Sequence, residues 1–176
     1  MKLLTLKYII VFIYLISSSS SYAIQQINIK NLVIHKNPKK LEKINFTNIN
    51  NEKISLNNFK NSLVIINFWA TWCAPCIEEM PSLDRLQANP IFKNLKVLPI
   101  NVGRDNLEKS KKFYKKLKIN NLDIYIDEGI ELANKFLLRG LPTTVFINKE
   151  GKEFARVIGF IDFDNKKIIK WLQNYD

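Results

Sequence analysis

At 176 residues the chain has room for one domain and a short appendage, and 47% hydrophobic with 24% charged residues describes a globular protein with an ample core. Two cysteines and one histidine are too few for a four-ligand structural zinc site and too few to staple a small disulfide scaffold. The net charge of +11 comes from scattered lysines joined only by Arg85, Arg104, Arg139 and Arg156, with no motif that reads nucleic acid.

Residues 1–23 have the form of a secretory signal. Lys2 and Lys7 make a basic start, YIIVFIYLI over 8–16 is apolar, serines follow, and Ser21-Tyr22-Ala23 offers small residues on either side of Tyr22 for cleavage after Ala23. The apolar run is well short of the ~20 residues that span a bilayer. An uncleaved anchor over residues 3–24, tolerating Lys7 and the serines, is the alternative. The segment has no cysteine for lipid attachment. Either form expects the body of the protein outside the cytoplasm, in the periplasm, and losing the leader removes only Lys2 and Lys7 from the positive charge.

Residues 24–43 are a lead-in with little periodicity, and the domain proper is expected over 44–176. Short apolar segments at 44–47 and 53–56 flank Asn50-Asn51-Glu52 and predict a hairpin. LVIINFW over 63–69 is continuously apolar and β-rich, as a strand covered on both faces would be. A helix is predicted from Cys73 to about Gln87, with Pro75 in its first turn and Pro81 inside it as a source of a kink. A second buried strand at 96–102 precedes a helix near 106–117, where Phe113 and Leu117 lie four apart among lysines that read as a solvated face. A short strand at 122–126 and a short helix at 128–137 follow. Strands at 143–147 and 154–158 flank Asn148-Lys149-Glu150-Gly151 as an antiparallel hairpin. A closing helix over 164–174 turns Ile168, Ile169 and Trp171 or Leu172 inward. The alternation predicts an α/β fold, a central mixed β-sheet flanked by helices.

The chemistry is expected at Trp72-Cys73-Ala74-Pro75-Cys76. Cysteines three apart at a helix start share one face and can close a disulfide with little rearrangement. The unpaired amides and positive dipole end at that start stabilise the thiolate of the first sulfur. Cys73 is therefore expected to be the exposed, low-pKa nucleophile and Cys76 the buried resolving thiol. An inert disulfide closing so small a loop would constrain the unfolded chain little, and a zinc site lacks further ligands.

The stretch Asn67-Phe68-Trp69-Ala70-Thr71-Trp72-Cys73-Ala74-Pro75-Cys76, continued by Glu79-Met80-Pro81, and the later Gly140-Leu141-Pro142-Thr143-Thr144 resemble the thioredoxin superfamily, and within it the secreted TlpA/ResA-type thiol:disulfide oxidoreductases. Asn148 to Gly151 fits the turn that follows, and the likeness covers about 44–172. It implies a thioredoxin-like fold with an N-terminal β-hairpin. The stretch from Cys76 to Pro142 exceeds that of a minimal thioredoxin, which implies a central insertion within 118–136.

Where thioredoxins keep a buried carboxylate six residues before the first cysteine, this chain has Asn67. The TlpA/ResA group usually has Asn there and is thought to use a glutamate three residues after the second cysteine, a position held here by Glu79. That spacing keeps Glu79 near the helix face of Cys76 and turns Glu78 away. A solvated helix glutamate is the competing reading of Glu79. The resemblance also implies a cis bond before Pro142, which would let the Leu141 backbone pair with an extended substrate. Trp72 and Pro75 are expected to line that groove. Phe68, Trp69 and Trp171 are expected to pack, and His35 to lie at the surface.

A disulfide reductase is the function the resemblance implies, working through the Cys73 and Cys76 dithiol with no other cofactor and no metal. Relatives serve cytochrome c maturation or copper-centre assembly in cytochrome oxidase. Ile100-Asn101-Val102 with Asp105 to Lys109 looks more TlpA-like than ResA-like and tilts the expectation toward copper. Expected partners are disulfide-bearing proteins of the cell envelope, namely an oxidase copper-site subunit, a Sco-like protein or apocytochrome c, with a membrane thiol transporter as electron donor. Nucleic acid is not expected, and the protein is expected to be a monomer. A Sco-like copper chaperone would need CxxxC and a distal histidine, whereas this chain has CxxC and only His35. A Dsb-like oxidase or isomerase would be favoured by a histidine between the cysteines, where this chain has Ala74-Pro75.

Overall fold

The computed structural model describes residues 29–176. The leader over 1–23, with the choice between signal and anchor, lies outside the described residues. In chain order the strands are β1 (Leu32–Lys40), β2 (Asn45–Asn48), β3 (Lys53–Ser55), β4 (Leu63–Trp69), β5 (Leu95–Asn101), β6 (Tyr125–Ile126), β7 (Thr143–Ile147) and β8 (Lys152–Ile158). The helices are α1 (Ala74–Gln87), α2 (Leu107–Leu117), α3 (Glu131–Lys135) and α4 (Lys166–Gln173). All eight strands join one sheet in the order β1-β8-β7-β4-β5-β6-β2-β3. β4 runs parallel to β5 and antiparallel to β7, so the sheet is mixed and β4 lies within it.

The apolar run of β4 has the cause its sequence suggests. Leu63, Ile65 and Trp69 pack under α1, α2 and α4, while Val64, Ile66 and Phe68 join Leu56, Leu132 and Phe136 on the opposite face. Each such side chain taken from water contributes about 1.5–3 kcal/mol. Trp69 meets Phe113 of α2 with ring centroids 4.7 Å apart, and Phe146 of β7 meets Trp171 of α4 edge-on at 5.1 Å. α2 buries Ser110, Phe113 and Tyr114 and leaves its lysines in solvent. Asn106 caps its start by accepting the Lys109 amide at 2.9 Å.

Four local expectations change on folding. Part of the lead-in is β1, antiparallel to β8 at the sheet edge. An edge strand has one neighbour and little to bury, so its hydrophobic period is weak; its pairing shifts register between Ile34 and Lys39, which accommodates Pro38. Strand β6 is shorter than predicted because the amides of Asn120, Asn121 and Leu122 donate to Asp84 Oδ1 of α1 at 3.2, 2.7 and 3.1 Å. The helix expected from residue 128 forms in full only at Glu131, after left-handed Gly129 and Ile130, with Asp127 accepting the Leu132 and Ala133 amides. His35 is not a free surface residue: its Nε2 lies 2.7 Å from Oε1 of buried Glu153, which Arg156 also binds.

Candidate redox-active site

Strand β4 delivers the chain at Trp69 into a turn closed by the Cys73 amide donating to the Ala70 carbonyl at 3.2 Å. Cys73 caps α1 with extended backbone, and its sulfur accepts the Cys76 amide at 3.3 Å. Pro75 fits the first turn, where no amide partner is needed, and the helix continues through Pro81 to Gln87. Cys73 and Cys76 are joined as a disulfide with Cα atoms 5.2 Å apart. Cys73 is more enclosed than its position suggested, at 5% exposure against 1% for Cys76, because both sulfurs sit in the cluster with Trp69, Ala70 and Met80. Trp72 stands out at 67% exposed, with Ala74 and Pro75 also at the surface.

The second motif arrives by sheet register. Thr143 opens β7 opposite Phe68 and Thr144 lies opposite Asn67, which sets Pro142 beside the end of β4 where the cysteine turn begins. The Leu141–Pro142 bond is cis. The Pro142 carbonyl accepts the Gly159 amide at 2.8 Å, so the segment after β8 runs alongside, carrying exposed Phe160. Half-buried Leu141 packs against the same cluster as the cysteines.

Glu79 lies one turn beyond Cys76 and is 1% exposed, which sets aside the reading of a solvated glutamate. Its Oε1 accepts Asn67 Nδ2–H at 2.6 Å, and its Oε2 accepts the Ile161 amide at 2.6 Å. Burial pushes its carboxyl from an ordinary 4.5 up to about 8, against the lowering effect of the Ile161 and Asn67 bonds. Such a group exchanges a proton near neutral pH. Glu78 is exposed.

Three residues near the end of β5 join the site without a role assigned to them from sequence, although Asn101 and Asp105 lie in the stretch read as TlpA-like. Asp105 Oδ2 accepts the Thr71 amide at 3.0 Å, Asn101 Nδ2 donates to the same oxygen at 3.2 Å, and the Trp72 indole N–H donates to the Gly103 carbonyl at 3.4 Å. Gly103 carries a signal of its own as a glycine just past a strand end, since a Cβ there would meet Ala70 Cβ at 2.5 Å. Among the described residues no three His, Cys, Asp or Glu side chains gather as a metal-binding set, and no helix is long and apolar enough to cross a membrane.

Similarity to known proteins agrees with this geometry. A thiol-disulfide oxidoreductase ResA of Bacillus cereus is 34% identical over 113 residues, which is 64% of this chain and 64% of that protein. The match thus spans a little under two thirds of the relative's length. The pneumococcal exposed lipoprotein thioredoxin from Streptococcus pneumoniae superposes with a TM-score of 0.64 at 26% identity, over 76% of this chain and 99% of that one. A secreted thiol-disulfide isomerase from Corynebacterium glutamicum gives a TM-score of 0.72 at 20% identity, over 83% and 92% of the two chains, and speaks for the fold alone. The AhpC/TSA family matches residues 38–152. With that span holding the cysteine pair, the cis-proline motif and most of the sheet, the chain belongs to the AhpC/TSA family and has its thioredoxin-like α/β fold.

Proposed function

We propose that the protein is a thiol:disulfide oxidoreductase that reduces disulfides in other proteins of the cell envelope. The observation that carries this reading is the Cys73–Cys76 disulfide at the start of α1, beside the cis Leu141–Pro142 bond and one turn from buried Glu79.

In the dithiol form the Cys73 thiolate attacks one sulfur of a client disulfide, and the client's other sulfur leaves as a thiolate. Cys76, deprotonated, then attacks the Cys73 sulfur and expels the first client sulfur. Two electrons and two protons pass to the client and Cys73–Cys76 is left oxidised, so an external dithiol must restore it. The helix start supports the Cys73 thiolate. Glu79 is the acceptor for the second proton, and Asn67, with a carbonyl as well as an amide, can face either protonation state by turning its side-chain amide.

Trp72, Pro75, Leu141 and Pro142 form the client surface, with the Leu141 backbone pairing to an extended client segment. The client class is taken from the TlpA/ResA resemblance of the sequence: apocytochrome c, or, with a slight tilt from the TlpA-like stretch at 100–109, a cytochrome oxidase copper-site subunit or its Sco-like partner, with a membrane thiol transporter as donor in the periplasm. The Ala74-Pro75 pair adds no positive charge beside Cys73, in keeping with a reductant rather than an oxidant.

The test is to replace Cys76 by Ser in the full chain, express it in its native envelope and identify disulfide-linked partners. An oxidase subunit among them would assign copper-centre assembly, and apocytochrome c would assign haem attachment. A variant that accumulates no mixed disulfide while Cys73 remains reactive would overturn the reductase reading.

A further inference from the structure

The loop after β5 closes on the cysteine turn from behind. Thr71, two residues before Cys73, gives its amide to Asp105 Oδ2 at 3.0 Å, so a side chain from residues 102–106 holds the backbone that presents the nucleophile. Asp105 is buried and is itself held by Asn101 Nδ2 at 3.2 Å. Asn101, opposite Trp69 across the β4–β5 pairing, accepts the Gly103 amide at 2.8 Å and donates to Ser110 Oγ at 3.1 Å. The Val102 amide donates to the Trp69 carbonyl at 3.0 Å, and the Trp72 indole reaches the Gly103 carbonyl. The two loops touch where only a hydrogen atom fits: a Cβ on Gly103 would stand 2.5 Å from Ala70 Cβ and 2.9 Å from Asp105 Oδ2.

We propose that Asp105 is a positioning residue of the redox pair, which anchors the Cys73 turn through the Thr71 amide and sets a fixed negative charge behind it that keeps the pair reducing. This rests on the redox reading of Cys73 and Cys76 given above. The two buried carboxyls then have separate tasks. Glu79 exchanges a proton near neutral pH. Burial alone would raise the Asp105 carboxyl, but its bonds from Thr71 and Asn101 and the nearby charge of Lys109 on α2 hold it below the ordinary carboxylate value, so it stays ionised.

A permanent anion near Cys73 opposes the thiolate that the α1 dipole favours. The disulfide is neutral and feels no such opposition. The protonated dithiol is neutral as well, so the charge acts through the thiolate. By making the ionised reduced form less stable it shifts the balance toward the oxidised pair and makes the reduced pair a better reductant, the reverse of the stabilised thiolate that gives strong oxidants their stable reduced form.

The experiment equilibrates the full chain with glutathione buffers and reads the dithiol fraction. Asp105→Asn keeps a carbonyl oxygen for the Thr71 amide and removes the charge. It should move the equilibrium constant about tenfold toward the dithiol, about 30 mV in potential, and speed alkylation of Cys73 at pH 7. Asp105→Ala should show the same shift and also slow exchange with a small disulfide severalfold relative to Asp105→Asn. An Asp105→Asn equilibrium within twofold of the parent overturns the proposal. Should that variant not fold, amide hydrogen exchange in the parent decides: Thr71 should exchange at least a hundredfold more slowly than an unstructured amide, and unprotected exchange overturns the anchor. None of these measurements needs a protein client, so failure of the parent to reduce protein disulfides would refute the proposed function separately.

Discussion

Asn67 Nδ2 donates to Glu79 Oε1 at 2.6 Å inside the sheet–helix interface, and the same nitrogen reaches Thr144 Oγ1 at 3.1 Å across the β4–β7 pairing. The strand that leads to Cys73 is thereby tied to the helix that carries Cys76. With the Ile161 amide on Oε2, both oxygens of Glu79 are met by donors, and the carboxyl is still pushed up to about 8 because burial outweighs them.

Glu79→Gln should alter the pH dependence of disulfide exchange. Only the ionised carboxylate accepts a proton, so the parent's rate should gain a component as pH rises through about 8, beyond that from thiol ionisation. A pH–rate profile from pH 5 to 10 should lack that component in Glu79→Gln and keep it in Glu78→Gln. Superimposable profiles for all three proteins would remove Glu79 from the mechanism.

The same residue predicts a stability slope. Its folded value lies above the ordinary 4.5, so between 4.5 and about 8 the folded protein holds a proton that the unfolded chain has released. Its contribution should therefore make the parent lose stability as pH rises through that window, by up to a few kcal/mol. Urea unfolding of parent and Glu79→Gln at pH 5 and pH 8.5 measures it. The gap between the two proteins should move in favour of the variant at the higher pH.

Asn67→Ala leaves Glu79 Oε1 and Thr144 without their donor and should cost about 1–3 kcal/mol in the same assay. Asn67→Asp sets a second carboxyl against Glu79, so the two should share one proton and the loss should grow above pH 7. A melting temperature unchanged in Asn67→Ala would show that the bond contributes nothing net.

Alkylation of the reduced protein at neutral pH should label Cys73 before Cys76. Cys73 caps the helix and is the less enclosed of the two, at 5% against 1%. Peptide mapping after brief exposure to iodoacetamide reads the order, and prior labelling of Cys76 would exchange their roles.

At the far edge, Glu153 predicts the opposite pH behaviour from Glu79. Burial acts to raise its carboxyl, but bonds from Arg156 and His35 bring it below the ordinary value. The stability it adds is present above that value and is lost as pH falls through the folded one. Arg156→Ala strands a buried carboxylate and should cost about 3–5 kcal/mol at pH 7; His35→Ala, which leaves Arg156 in place, should cost about 1 kcal/mol. Chemical denaturation at pH 7 and pH 3.5 should show Arg156→Ala closing most of its gap to the parent at the lower pH.

Short-range properties sufficed for most elements. The unbroken apolar run of β4, the Cys73 and Pro75 start of α1, the Phe113 stripe among lysines in α2 and the Asn148 to Gly151 turn between β7 and β8 all announce themselves within a few residues. Cys73 and Cys76 were legible as a pair because residues three apart at a helix start share one face, whereas Glu79 was singled out through the family resemblance, with its helix spacing in agreement. The cis-proline motif was legible only through its resemblance to a known family.

Tertiary structure decided what no local period can carry. β1 is a strand because β8 offers it an edge, and β6 is short because Asp84 of α1 takes the amides just before it. Glu79 is buried because Ile161, 82 residues away, lends it an amide, and Asp105 belongs to the site because the β5–α2 loop brings it to Thr71, 34 positions earlier. A lone Asp, Asn or His carries the same local signal whether it ends in solvent or against a partner from another element. Only folding brings the partner that satisfies it, and the cost of leaving a buried carboxylate or amide unpaired then favours that meeting.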